Sequence, residues 1–99
     1  MKFEHKDVEY IVKFGYYYSK RKRIIECVIY TQEEGYDNPL IRDTIYYPEN
    51  EHFSKKRARN LVLKETLSPF TESFRLSVWD AYFTESKIYP RYKKIKNGA

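Results

Sequence analysis

The sequence predicts a small α+β domain in which a three-stranded antiparallel sheet is followed by two helices, in the order β-β-β-α-α. The 99 residues suffice for one hydrophobic core. Their hydrophobic content of 41% and aromatic content of 18% exclude a disordered chain. The first half alternates polar and apolar positions, whereas the second half places apolar residues at helical spacing. We therefore expect residues 1–87 to form a single domain and residues 88–99 to form a basic tail.

Three segments of the first half have the period of two that is typical of strands. We expect strands from Val8 to Tyr18, from Ile24 to Thr31 and from about Ile41 to Tyr47. The polar connection at residues 19–23 is short enough for an antiparallel hairpin. Residues 33–39 form an acidic loop before the third strand, which ends at proline because proline has no N–H to donate to a ladder.

Two helices are expected after these strands. Ser54 is a good N-cap for a helix that ends at Leu67. Ser68 caps the second helix, Pro69 occupies its first turn, and the helix runs to about Glu85. Its apolar residues define one buried face with further apolar residues beside it, which predicts a helix covered on much of its circumference. The residues concerned are Phe70, Phe74, Leu76, Val78, Trp79, Ala81, Tyr82 and Phe83.

The composition argues against catalysis, a metal site and a membrane span. No phosphate-binding, zinc-protease or nucleophile-elbow motif is present, and three glycines are too few for a phosphate-cradling loop. Cys27 lies on an apolar strand face, where a cysteine acts as a small hydrophobe. His52 with Glu49 and Glu51 is expected to be a loop group rather than a metal site. We expect a protein that is not an enzyme, uses no cofactor and resides in a reducing cytoplasm.

The cationic residues predict an anionic partner. Nineteen Lys plus Arg outnumber fourteen Asp plus Glu, and besides the basic tail the cations concentrate in two segments. One is the expected hairpin tip, which follows three tyrosines; the other opens the first helix, where cations oppose the helix dipole. The candidate nucleic-acid-binding residues are Lys20, Arg21, Lys22, Arg23, Lys55, Lys56, Arg57 and Arg59. The alternative is that the hairpin cations keep a strand edge soluble, and that the helix-start cations are solvated side chains balanced by Glu49 and Glu51.

Tyrosines near charged groups predict a second kind of surface, for a protein partner. Tyrosine is enriched in interaction hot spots, and the chain has eleven of them. The candidates are Tyr17, Tyr36, Tyr46 and Tyr47, because adjacent tyrosines on a strand cannot both face one core. A second packed sheet face or a homodimer interface is the alternative.

One stretch resembles a pattern in small phage-encoded proteins. It contains Phe53-Ser54-Lys55-Lys56, Arg59, Leu63, Leu67, Arg75 and Val78-Trp79-Asp80-Ala81-Tyr82, with Ala58 where the pattern has glycine. The resemblance implies a phage origin and action in the cytoplasm of the infected host cell. The leading hypothesis is a non-enzymatic anti-defence protein, such as an anti-CRISPR, that binds and inhibits a host nuclease complex. The alternative is a protein that binds RNA, DNA or a nucleotide through the hairpin tip and the helix start.

Overall fold

Four antiparallel strands precede two helices in the computed structural model, which describes residues 1–48 and 53–85. The elements are β1 (Lys2–His5), β2 (Val8–Ser19), β3 (Lys22–Thr31), β4 (Ile41–Pro48), α1 (Lys55–Leu67) and α2 (Glu72–Glu85). The strands lie in the sheet in chain order. The α+β class and the two helices after the sheet are confirmed, but the expected number of strands is wrong by one.

The additional strand is β1, which pairs with the start of β2. Phe3 lies opposite Tyr10, and the two rings stack with their centroids 5.1 Å apart. Phe74 of α2 meets the Phe3 ring edge-on at 5.4 Å. The strand therefore forms because one ring is buried against distant residues, and four residues are too short to show a period of their own.

Both tight hairpins turn without glycine. The β1–β2 turn has Lys6 at φ 50° and Asp7 at φ 66°, and the β2–β3 turn has Lys20 at φ 48° and Arg21 at φ 62°. Two consecutive residues with positive φ are typical of a type I′ turn, whose twist matches that of paired strands. Because this backbone is costly for residues with a Cβ, the pairing of the flanking strands must hold these turns in place.

The helices cover one face of the sheet. Side chains that alternate along the central strands point towards α1 and α2, and α1 packs over β3 and β4 whereas α2 packs over β1. Val28 and Tyr30 are buried on the other face. The buried cluster between the helices and the sheet consists of Phe3, Val12, Ile25, Cys27, Ile29, Tyr47, Ala58, Val62, Leu63, Leu67, Phe74, Val78 and Tyr82. We call the other sheet face, which neither helix covers, the open face.

The helix boundaries are partly as expected. The Ser54 side chain caps α1 by accepting from the Arg57 N–H at 3.3 Å, and α1 ends at Leu67. The expected start of α2 is wrong: Ser68 closes α1, since its hydroxyl donates to the Glu65 carbonyl at 2.9 Å. Thr71 caps α2 instead, because its side-chain oxygen accepts from the Phe74 N–H at 3.3 Å. The intervening proline therefore lies in the connecting turn.

α2 is buried on a smaller part of its circumference than expected. Leu76 and Phe83 are exposed, and Trp79 is half-buried with its ring stacked on Phe83 at 5.7 Å. The sheet buries only the face of α2 that carries Phe74, Val78 and Tyr82. Within the described residues, neither helix has the length and apolar character needed to cross a membrane. The expectations for Glu49, Glu51, His52 and the tail at residues 88–99 lie outside the described residues.

Candidate nucleic-acid interface

The fold joins the β2–β3 hairpin to the start of α1. The Lys55 ammonium lies 5.0 Å from the centroid of the Tyr16 ring, and Arg59 donates to the Tyr16 hydroxyl at 3.2 Å. The Arg23 guanidinium lies 4.5 Å from the Phe53 ring and 5.7 Å from the Tyr18 ring. We call this group the basic–aromatic surface; its members are Tyr16, Tyr18, Arg23, Phe53, Lys55 and Arg59.

Strand alternation explains which hairpin residues reach this surface. In the unbroken register between β2 and β3, Tyr18 pairs with Arg23 and Tyr16 pairs with Ile25. These residues share the helix-covered side of the sheet, because Ile25 is buried under the helices. Phe53 completes the surface just before α1 begins, where its ring packs edge-on against Tyr47 at 5.3 Å.

Arg59 links this surface to a deeper cavity. Burial lowers the pKa of Arg59, but the hydroxyls of Tyr16 and Tyr82 outweigh that effect and raise it above its ordinary value. A cavity of about 410 Å³ opens beside it, where β2 meets α1 and the end of α2. The cavity is lined by Met1, Val12, Lys13, Phe14, Tyr16, Arg59, Tyr82 and Glu85. A smaller cavity of about 180 Å³ lies at Tyr18, Arg23, Phe53 and Lys55.

The structure does not gather every predicted cation. Lys22 points to the open face, with its ammonium 5.5 Å from the Tyr46 ring centroid. Lys20 and Arg21 are exposed in the turn itself, and Lys56 and Arg57 are exposed in the first turn of α1. Of the eight candidates, Arg23, Lys55 and Arg59 belong to the basic–aromatic surface. The expected concentration of four cations at one tip is therefore divided between the two sheet faces.

Three of the four candidate partner-binding tyrosines lie on the open side of the sheet. Tyr17, Tyr36 and Tyr46 are 53%, 40% and 65% exposed, respectively. The choice of Tyr47 is a wrong expectation, because its side chain is only 3% exposed in the core. The two adjacent tyrosines do point to opposite faces, as the period of two requires.

A polar network connects residues of the open face. Glu26 accepts from the Tyr17 hydroxyl at 3.4 Å and from Arg42 at 3.2 Å. Arg42 also lies within 3.5 Å of the Tyr36 hydroxyl, to which it donates. The nearby Glu26 carboxylate is the main cause that raises the pKa of Tyr17, and burial is the next. These tyrosines are therefore held in place rather than free in solvent.

Sequence reasoning missed several members of both surfaces. The sequence pattern assigns Phe53 no binding role and does not single out Arg42 or Glu26. In the β3–β4 register Arg42 pairs with Val28, two residues after Glu26, so Arg42 and Glu26 are diagonal neighbours. Opposite charges at such positions attract each other, and they are a usable signal for this pair. The position of Phe53 depends on its contact with Tyr47 and offers no comparable local signal.

Groups suited to catalysis or metal binding are engaged in packing. Cys27 is fully buried, and this burial raises the pKa of its thiol to about 12 against the opposing effect of a hydrogen bond with Thr66. His5 lies 3.1 Å from the Ser77 hydroxyl, and its ring packs edge-on against Phe74 at 5.3 Å. Within residues 1–48 and 53–85, no three His, Cys, Asp or Glu side chains gather to hold a metal ion.

The basic–aromatic surface and the open-face network are thus the chemically distinctive regions of the described chain. Comparisons with protein-family models, with curated proteins and with solved structures find no match. The resemblance to small phage-encoded proteins stays a prediction from the residues quoted for it.

Proposed function

We propose that the protein binds single-stranded nucleic acid through the basic–aromatic surface. The observation that carries this proposal is the assembly of three cations and three aromatic rings from two segments of the chain. The hairpin contributes Tyr16, Tyr18 and Arg23, and the start of α1 with the residue before its cap contributes Phe53, Lys55 and Arg59. Cations beside aromatic platforms are the usual means of holding phosphates and stacking bases together.

Binding of a strand replaces the cation–ring contacts of the free protein with stacking of bases on the rings. In the free protein, the cations lie over ring faces at 4.5–5.7 Å, and each such exposed contact contributes about 0.5–1 kcal/mol. Stacking of a base on an aromatic ring contributes about 1–3 kcal/mol. A phosphate that draws Arg23 or Lys55 aside therefore frees a ring for a more favourable contact, while the cation gains an ion pair.

The same argument favours a single strand over a duplex. Bases in a duplex are already stacked on one another, so their faces are unavailable to Tyr16 and Tyr18. A duplex would offer this surface only its phosphates. We therefore expect single strands to bind more tightly than duplexes of the same sequence.

Fluorescence anisotropy with a short labelled oligonucleotide, over a series of salt concentrations, tests this function. Alanine at both Arg23 and Lys55, which are exposed, should weaken binding and reduce the slope of log affinity against log salt by about 1.4. The matched control replaces Lys2 and Lys64, which are also exposed, and should keep the parent slope apart from a small general effect of net charge. Equal losses in both variants, or affinity that ignores salt, would contradict the proposal.

A second candidate function rests on the open face. Exposed tyrosines held by Glu26 and Arg42 on a sheet face without helices suit a protein partner, because tyrosine and arginine dominate interaction hot spots. In the phage setting that the resemblance implies, we propose that this partner is a host defence component, such as a CRISPR nuclease complex, in the host cytoplasm. This function uses Tyr17, Tyr36 and Tyr46 without the basic–aromatic surface.

A further inference from the structure

The cavity beside Tyr16 has the features of a site for a small anion. We infer that it binds a phosphate monoester, either the terminal phosphate of a nucleic-acid strand or a free mononucleotide. The strand form of this inference rests on the proposed nucleic-acid binding. The volume of about 410 Å³ lies within the range of small-molecule sites and exceeds what phosphate alone would fill.

Arg59 supplies one cation of this site, which Lys13 and the residue with the N-terminal ammonium, Met1, also line. The Arg59 guanidinium donates to the Tyr16 hydroxyl at 3.2 Å, and Lys55 lies over the ring of the same tyrosine. An anion at Arg59 is therefore next to the basic–aromatic surface, and a strand on that surface can end in the cavity. Arginine is well suited to this position because its planar fork can donate two hydrogen bonds to a phosphate.

Tyr82 supplies a second, independent indication of a ligand. Its side chain is 3% exposed and lines the cavity, yet its buried hydroxyl has no hydrogen-bond partner among residues 1–48 and 53–85. The hydroxyl attracts the Arg59 guanidinium and so helps to raise its pKa, but no donor or acceptor in these residues meets full hydrogen-bond geometry with the Tyr82 oxygen. Buried hydroxyls are normally satisfied, and a phosphate oxygen that pairs with Arg59 would accept from this one.

The remaining walls define how the ligand would lie. Phe14 packs edge-on against Tyr82 with the ring centroids 6.2 Å apart, and it gives the cavity an apolar wall for a base or sugar. Glu85 also lines the cavity, with its carboxylate 3.8 Å from the Met1 amino nitrogen. Because this carboxylate repels a phosphate, we assign the anion to Arg59.

The test compares one oligonucleotide sequence with a 5′-phosphate, a 3′-phosphate or hydroxyl ends, at neutral pH where a phosphate monoester is close to a dianion. We expect one phosphorylated form to bind about tenfold more tightly than the hydroxyl form, the fold-change expected for a hydrogen-bonded charge. Tyr82→Phe should reduce this preference to about twofold or less and leave the melting temperature unlowered, because it removes only an unpaired hydroxyl. Glu85→Gln should increase the preference.

Free mononucleotide and inorganic phosphate, titrated by calorimetry, distinguish the two sources. If mononucleotide binds and Tyr82→Phe weakens it, but no oligonucleotide binds, the cavity assignment stands and the nucleic-acid function is wrong. If all oligonucleotides bind with equal affinity and strong salt dependence, the nucleic-acid function stands and the cavity assignment is overturned. A phosphate preference that persists in Tyr82→Phe also overturns the assignment.

Discussion

Tyr16 is the residue at which the two parts of the basic–aromatic surface meet. Its ring lies under Lys55 and its hydroxyl accepts from Arg59, two residues that are far from it in the chain. Alternation along β2 predicts which side of the sheet Tyr16 occupies. It cannot predict what lies there, because the contact depends on where α1 packs across the sheet. The sequence therefore indicates the separate segments of the candidate site but not their junction.

Cys27 gives a prediction about the pH dependence of stability. Burial raises the pKa of its thiol from 9.0 to about 12, so between these pH values the unfolded chain releases a proton that the folded chain keeps. The folded state is therefore favoured below this range and loses stability through it. The free energy of unfolding should fall by up to about 1.4 kcal/mol per pH unit as the pH rises.

Urea unfolding of the parent protein and of Cys27→Ala, measured at several pH values from 9 to 12, isolates this effect. Tyrosine and lysine side chains titrate in the same range in both proteins, so the difference between the two curves reports the thiol. Alanine should destabilise the protein at the lower pH, because it leaves a small cavity, and this difference should shrink as the pH rises. Parallel curves would show that the thiol titrates normally.

Strands and helices differ in how well their sequences predict them. β2, β3 and β4 have long alternating patterns, and the observed strands begin and end within two residues of the expected bounds. β1 escaped prediction because its existence depends on the packing of Phe3 against Tyr10 and Phe74. The start of α2 was misplaced for a related reason: both Ser68 and Thr71 are good caps, and only the turn geometry shows which end each one closes.

The β4 strand lies at an edge of the sheet, where a second copy of the chain could add a strand. Its Thr44 N–H is occupied by the side chain of Asp43, which accepts from it at 2.9 Å. A carboxylate that binds an edge N–H removes a donor that an added strand would need. The β4 edge is therefore less favourable for an added strand at Thr44.

The burial of Phe3 predicts that β1 is needed for stability. Phe3→Ala should lower the free energy of unfolding by about 3–5 kcal/mol, since it removes a ring packed between Tyr10 and Phe74. The control is Val8→Ala, because Val8 is exposed and belongs to the same strand pair. It should change stability by no more than about 0.5 kcal/mol. Urea denaturation measures the free energy of unfolding of both variants. If Phe3→Ala costs no more than Val8→Ala, β1 contributes little beyond its backbone pairing.

The sheet separates two surfaces of different chemistry. The basic–aromatic surface lies on the helix-covered side at the hairpin end, and the tyrosine network with Glu26 and Arg42 lies on the open face. The net charge of +5 attracts polyanions to the molecule as a whole, so a charge effect alone does not locate a binding site. Substitution of the tyrosines on the open face, compared with substitution of the cations in the basic–aromatic surface, can locate it.

We predict that the two surfaces act independently. Alanine at both Tyr17 and Tyr46 should abolish capture of a specific protein from nuclease-treated host lysate, because these exposed rings are the proposed anchors of the open face. The same variant should keep its melting temperature and bind a single-stranded oligonucleotide within about twofold of the parent, since sites without shared contacts behave additively. Alanine at both Arg23 and Lys55 should instead weaken oligonucleotide binding and leave protein capture unchanged.

If the tyrosine variant loses oligonucleotide binding as well, the nucleic acid extends over the open face and the two surfaces form one site. If neither variant changes the captured proteins, the open face has no role as a protein-binding surface.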